Sequence, residues 1–203
     1  MPVKVKICGL CHADDARAAA AAGADFLGLN FHPESPRYVD PELARELADA
    51  VPGAALVGVF VDTPRARVER IAAHVGLAAL QFHGGEDPEY CRGWPWRTIK
   101  AIRARPGVDL VEVAARYPTD YLLLDSFVPH QFGGTGVALD PTALAGLPAA
   151  RMFVAGGLRA DTVAAVVRAI RPFAVDVATG VEESPRRKDH AKIEELIRRA
   201  KAA

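Results

Sequence analysis

Eight short runs rich in Val, Ile, Leu and Phe recur along this chain, each followed by a segment that reads as a helix. This alternation constrains the fold more than any other feature, because strands joined by helical crossovers run parallel. The strand runs are Val3–Ile7, Asp25–Phe31, Ala55–Val61, Ala78–Phe82, Arg97–Ile102, Asp120–Leu124, Arg151–Ala155 and Phe173–Val177. The helical segments are Ala13–Ala22, Pro41–Ala50, Pro64–His74, a short Asp87–Cys91, Val108–Arg116, Pro141–Leu147, Ala160–Ile170 and Asp189–Ala200. Four of them open on a polar residue before proline: Asp40-Pro41, Thr63-Pro64, Asp87-Pro88 and Asp140-Pro141. Proline suits a first turn, where its missing N–H would have no partner in any case. Runs such as LVGVFV (56–61) and YLLL (121–124) are apolar without alternation, as expected of a parallel sheet covered on both faces.

Eight such pairs in 203 residues sit at the low end for an α/β (β/α)8 TIM barrel, and one barrel domain over residues 1–203 is the expected architecture. A doubly wound open sheet gives the same local pattern, but its dinucleotide fingerprint, GxGxxG, does not follow the first strand. Lys plus Arg and Asp plus Glu balance at 25 each, so no global field favours nucleic acid or anionic lipid. No apolar run reaches the ~18 residues of a membrane span, and the N-terminus does not read as a secretory signal. Three cysteines, Cys8, Cys11 and Cys91, are an odd number for a disulfide framework, which favours a reducing cytoplasm.

A parallel barrel builds its active site from the loops at the C-terminal ends of its strands. Those positions hold Cys8, the His32–Arg37 segment, Asp62, His83, Lys100 and Arg103, Asp125, Gly156 and Gly157, and Asp176 to Gly180. The seventh and eighth loops read AGGL and ATGVE. Glycines there let backbone N–H groups approach an anion, and barrels often bind phosphate at this place; tight turns alone also call for glycine. The loop GGTG (133–136) lacks the Lys-Ser/Thr ending of a nucleotide-binding P-loop.

Asp125 ends an apolar strand, where a carboxyl against apolar neighbours can serve as a general acid or simply as a solvated loop residue. Cys8 ends the first strand, where a thiol can be a buried apolar group, a base or a nucleophile. Cys8 to His12 also spells CxxCH, the pattern of haem attachment, and contains a CxxC redox or metal pair. Haem attachment requires export, and zinc requires further ligands at a spacing this chain does not show.

Taken together, these residues resemble the phosphoribosylanthranilate isomerase family of tryptophan biosynthesis nearly end to end. The resemblance rests on VKICGL at Cys8, FHPESPRYV at Arg37, LVGVFVD, LQFHGGE at His83, LLLDSF at Asp125, and the VAGGL and DVATGVEESPRRKDHAKI segments. It implies a barrel of the ribulose-phosphate-binding type and an Amadori rearrangement of N-(5-phosphoribosyl)anthranilate without cofactor or metal. Cys8 and Asp125 stand at the places of the catalytic base and acid, and Arg37 at that of the arginine that meets the anthranilate carboxylate. His83 and Asp176 are expected to orient substrate, and Gly156, Gly157, Thr179 and Gly180 to hold its phosphate. The expected partner is a small phosphosugar, on a chain that is a monomer or a homodimer.

The chain departs from the family pattern in three places. Val137 to Pro141 replaces an aromatic pair, Ala178 and Thr179 stand where two serines are common, and Cys11 replaces a threonine or similar residue. The histidine-pathway isomerase runs the same chemistry on a similar fold with an aspartate at the first strand, which Cys8 argues against. A non-enzymatic phosphosugar- or metal-binding module is the reading from a different class.

Overall fold

The computed structural model describes residues 2–104, 107–126 and 146–203. Eight parallel strands close a barrel in sequence order: β1 (Lys4–Cys8), β2 (Phe26–Asn30), β3 (Leu56–Phe60), β4 (Ala79–Phe82), β5 (Arg97–Ala104), β6 (Tyr121–Ser126), β7 (Met152–Ala155) and β8 (Ala174–Val177). Closure is made by β1 pairing with β8, with Lys6 opposite Asp176. The described helices are α1 (Ala13–Ala21), α2 (Pro41–Asp49), α3 (Arg65–Val75), α4 (Leu110–Ala115), α5 (Val163–Ile170) and α6 (His190–Lys201). Several begin where a carboxylate satisfies a free N–H. Asp40 accepts from Leu43 at 2.9 Å, Asp109 from Val111 at 2.9 Å, and Asp189 from Lys192 at 3.0 Å.

The segment Asp87–Cys91 is not the short helix expected from its Asp-Pro opening. It makes a single turn, with the Cys91 N–H on the Asp87 carbonyl at 3.2 Å and the Tyr90 N–H on the Asp87 carboxylate at 2.7 Å. Gly93 at φ 70° ends it before a second turn can repay helix nucleation. Trp94 and Tyr90 then pack on Phe82 with ring centroids 5.2 and 5.3 Å away. The segment Pro141–Leu147 lies outside the described residues except for its last two positions, and the GGTG loop and Val137–Pro141 lie wholly outside them. A two-stranded antiparallel ribbon, β9 (Glu182–Ser184) and β10 (Arg187–Lys188), follows β8 and was not legible in the strand pattern.

Strand alternation decides which side chains enter the barrel. Val57, Ala79, Ile99, Ala101, Leu123, Phe153, Ala155 and Ala174 form one interior cluster, with Phe26, Tyr121 and Phe173 packed against it. Their intervening neighbours, such as Val5, Ile7, Leu80, Phe82 and Val175, pack outward in a second core with the helices. This parity positions the site. Asp125 shares a face with Leu123, Gln81 and His83 share one with Ala79, and Asp176 shares one with Ala174.

Candidate active site

Cys8 ends β1 in register with Gly28 of β2, and the missing side chain at residue 28 is what makes room for the thiol. A Cβ there would lie 2.9 Å from Cys8 Sγ, 3.0 Å from Cys8 Cα and 3.2 Å from Lys6 Cε. Lys6, one interior position below Cys8, is fully buried and donates from Nζ to Asp176 Oδ1 at 2.9 Å. Burial pushes the Cys8 thiol above its ordinary value, the Lys6 ammonium pulls it back, and the Asp176 carboxylate adds to the rise. Burial alone would lower Lys6, but Asp176 and Cys8 outweigh it, so its ammonium is held above the ordinary lysine value.

Asp125 sits at the end of β6, with only β7 and β8 between its strand and that of Cys8 round the barrel. His83 Nε2 lies 3.8 Å from Asp125 Oδ2. On its other side, His83 Nδ1 is 2.8 Å from Gln81 Nε2. With the amide donating to Nδ1, the ring proton sits on Nε2 and faces the carboxylate. Gln81 is buried, and its Oε1 has no partner among the described residues.

Arg37 projects from the β2–α2 loop. Its Nε and Nη2 donate to Glu182 Oε1 and Oε2 at 2.7 and 2.6 Å, a fork that raises the guanidinium further above its ordinary value. Lys188 Nζ reaches the same carboxylate at 3.1 Å and the Ala178 carbonyl at 3.0 Å. Burial would raise Glu182, but Arg37 and Lys188 hold its carboxyl below the usual glutamate value. Burial lowers Lys188 below the ordinary lysine value in spite of that partner.

The seventh and eighth loops meet each other. Gly180 packs so closely on the Leu158 carbonyl that a side chain at residue 180 would collide with it. Gly156 and Gly157 take φ of 97° and 62°, and their N–H groups have no acceptor among the described residues. Thr179 and Gly180 belong to a single 3-10 turn, Thr179–Val181, beside them. Because these loops follow β7 and β8, they lie between the strands that carry Asp125 and Cys8.

Other sequence candidates fall elsewhere. Lys100 points away from the barrel interior, to Glu86 Oε2 at 2.6 Å and the Gly84 carbonyl at 2.8 Å. Asp62 accepts from the Gly85 N–H at 2.7 Å. Cys11 is a buried free thiol whose Sγ faces the carbonyls of Gly9 and Arg37 at 3.7 and 3.6 Å. It forms no disulfide with Cys8, and His12 is exposed at the start of α1. Exposed Asp14 and His190 cluster with buried Asp15, but Arg187 and the Lys188 N–H already engage the carboxylates.

Lys6, Gly28, Gln81, Glu182 and Lys188 were not singled out from the sequence. Lys6 was within reach, since it alternates with Cys8 in VKVKIC; the others depend on pairings between distant segments.

The family described as N-(5'-phosphoribosyl)anthranilate (PRA) isomerase matches residues 5–199. The N-(5'-phosphoribosyl)anthranilate isomerase of Pseudomonas putida strain F1 is 44% identical over 205 aligned positions, covering 99% of this chain and 98% of the relative. The crystal structure of phosphoribosyl anthranilate isomerase from Thermotoga maritima superposes with a TM-score of 0.91 at 35% identity, covering 99% of this chain and all of that one. A crystal structure of a phosphoribosyl anthranilate isomerase in complex with reduced 1-(o-carboxyphenylamino)-1-deoxyribulose 5-phosphate superposes with a TM-score of 0.85 at 34% identity, again over 99% of this chain and 100% of that one.

Proposed function

The chain belongs to the N-(5'-phosphoribosyl)anthranilate isomerase family, and from that premise we propose that Cys8 and Asp125 are the base and acid of its reaction. The enzyme isomerises N-(5-phosphoribosyl)anthranilate to 1-(2-carboxyphenylamino)-1-deoxyribulose 5-phosphate in tryptophan biosynthesis. The observation that carries the assignment of roles is the order of side chains round the mouth: carboxyl on β6, phosphate-type loops after β7 and β8, thiol on β1.

Asp125 gives its proton to the furanose ring oxygen as the C1–O bond breaks, which leaves a protonated imine between C1 and the anilino nitrogen. That cation makes the C2 proton acidic, and the Cys8 thiolate takes it. The C2–H electron pair becomes the C1=C2 bond of an enolamine, and the C1=N pair returns to nitrogen. Cys8 then gives its proton to C1, while Asp125 takes the proton of the C2 hydroxyl as the ketone forms. Both groups end as they began, so the cycle needs only the protons of substrate and enzyme.

The raised thiol gives the cationic imine a second role. Burial disfavours the Cys8 thiolate, and the positive charge that develops at C1 favours it where the C2 proton must leave. Arg37 takes the anthranilate carboxylate, with Glu182 fixing the plane of its guanidinium. His83 directs Nε2–H at Asp125, and Asp176 holds Lys6 beside the thiol. The N–H groups of Gly156, Gly157, Thr179 and Gly180 receive the phosphate, so two anchored ends hold the sugar between acid and base. Every residue in this scheme comes from one chain, so it applies equally to a monomer or a homodimer of one-domain subunits. A base that must be a free thiol suits a reducing cytoplasm.

The test is product formation from freshly prepared phosphoribosylanthranilate by chelator-treated protein and by Cys8→Ala and Asp125→Asn. Loss of either group should slow turnover ~10²–10⁴-fold, with the untreated and chelated parent alike. Near-parental turnover in both variants overturns the assignment. A parent that forms no product, with or without chelator, would favour the non-enzymatic binding-module reading.

A further inference from the structure

Lys6 is a charged side chain with no exposure to solvent, deep in a barrel whose other interior residues at that level are mostly apolar. Removing an ammonium from water costs several kcal/mol, and a buried ion pair gives weak net stability in return. The position therefore calls for a reason other than stability. Lys6 lies on the same face of β1 as Cys8, one interior position below it. Its Nζ is 2.9 Å from Asp176 Oδ1, the residue paired with it in the β1–β8 register. Its Cε and the Cys8 Sγ crowd the same empty volume above Gly28, 3.2 and 2.9 Å from where a Cβ would stand.

We propose that Lys6 is a positioning residue that bridges Asp176 and the Cys8 thiolate, supplying the positive charge against which Cys8 ionises. This deepens the reading of Cys8 as the base and rests on it. An ammonium carries three donors and Asp176 takes one, so a bond to sulfur leaves the aspartate partnered. Lys6 keeps its proton throughout: the thiolate forms beside a cation already in place, and the C2 proton that it later receives comes from substrate. The same bridge keeps sulfur at one height in the barrel, aimed at the mouth. Asp176 has the opposite electrostatic effect on the thiol. Its carboxylate holds Lys6 in place but disfavours a second negative charge nearby.

The other charged groups that act on Cys8 are Lys188 of β10 and Arg37 of the β2–α2 loop. Both are already committed to Glu182, at 3.1 and 2.6 Å. Lys6 is the cation nearest in sequence on the sulfur's own strand, and the carboxylate it pairs with on β8 is the one that opposes thiolate formation.

This assignment makes a prediction of sign that a purely structural ion pair does not. The pH dependence of Cys8 alkylation by iodoacetamide, followed by peptide mass with Cys11 and Cys91 as internal references, reads thiol ionisation without requiring turnover. Lys6→Met should move the midpoint up by roughly 1–3 units, and Asp176→Asn should move it down by about one unit. Movement of both in one direction, or of neither, overturns the proposal. If Lys6→Met does not fold, Asp176→Asn decides alone: a lower midpoint supports the bridge, and an unchanged or higher one overturns it. Failure here is distinct from failure of Cys8 as base, which is read from the turnover of Cys8→Ala.

Discussion

Arg37 and Glu182 meet as two planar forks, Nε on Oε1 at 2.7 Å and Nη2 on Oε2 at 2.6 Å, across 145 positions of sequence. Both side chains are largely out of solvent, at 19% and 7% exposure, so the pair is only weakly screened. It ties the β2–α2 loop to the β9–β10 ribbon and leaves Arg37 with one defined orientation at the rim of the barrel.

The pair has a stability signature with a definite sign. The folded-state value of Glu182 lies below its ordinary one, so its ionised form adds stability that is complete above the ordinary glutamate range. That contribution disappears as pH falls through the depressed value. Glu182→Gln should be less stable than the parent by roughly 1.5–3 kcal/mol at pH 7, the worth of hydrogen bonds to a charged partner. Urea midpoints should show the gap closing below about pH 4.3. A gap independent of pH would mean that packing, not charge, holds the ribbon.

Arg37 also gives a kinetic prediction. An arginine that grips the substrate carboxylate in ground and transition states alike contributes uniform binding, so its loss should raise KM with little change in kcat. Arg37→Lys keeps the charge but loses the planar fork, both for Glu182 and for substrate. KM should rise roughly tenfold or more in Arg37→Lys, in line with the loss of one charge-assisted hydrogen bond. A drop in kcat at unchanged KM would place Arg37 at the reacting centre instead.

How much of this was legible in the sequence depends on the range over which each feature is encoded. The eight strands and the parity that sends Cys8 and Asp125 inward are local patterns, and the structure closes them into the expected barrel. Asp87–Cys91 misled because a good N-terminal signal was read without the Gly93 that stops it. Glu182 could not be found because its partner Arg37 is brought near only by the fold. Lys6 is a different case: its parity with Cys8 places it on the same inward face, but a lysine in a strand ordinarily reads as solvated, and its pairing with Asp176 across the barrel closure is not local.

The two thiols in CGLC should behave as unlike groups. Cys11 rests between two backbone carbonyls, and burial raises its thiol despite nearby Arg186, Lys188 and Arg37. Nothing in its surroundings points it into the mouth. Cys11→Ser should keep turnover within about twofold, whereas alkylation of Cys8 should abolish it, since the base contributes ~10²-fold or more. Both outcomes are read by assaying parent and variant before and after iodoacetamide. Full protection of activity in Cys11→Ser would move the essential thiol from Cys8 to Cys11.

Gly28 tests whether the space above Lys6 matters to chemistry. A methyl group at residue 28 would press on both the Cα and Sγ of Cys8, at 3.0 and 2.9 Å, so neither rotamer change nor backbone relief alone clears it. Gly28→Ala should cost roughly 1–3 kcal/mol from overpacking. It should also lower kcat more than tenfold, because misplacing a base by a fraction of an ångström is expensive. Thermal unfolding and steady-state kinetics on the same preparation separate the two effects, and parental kcat in a destabilised variant would show that the thiol tolerates displacement.

Gly180 makes the corresponding test at the phosphate end. It lies against the Leu158 carbonyl, so the loops after β7 and β8 can hold their N–H groups in one cradle only while residue 180 lacks a side chain. Gly180→Ala must push the loops apart, and backbone donors that diverge grip an anion less well. The variant should raise KM and weaken competitive inhibition by inorganic phosphate by a similar factor, roughly tenfold for each charge-assisted bond lost. Cys8 alkylation should be unchanged in it, because the disturbance lies on the far side of β8 from the thiol. If phosphate inhibition is undiminished while KM rises, the anion is held elsewhere, and the glycines of these loops serve only to let the two turns pass.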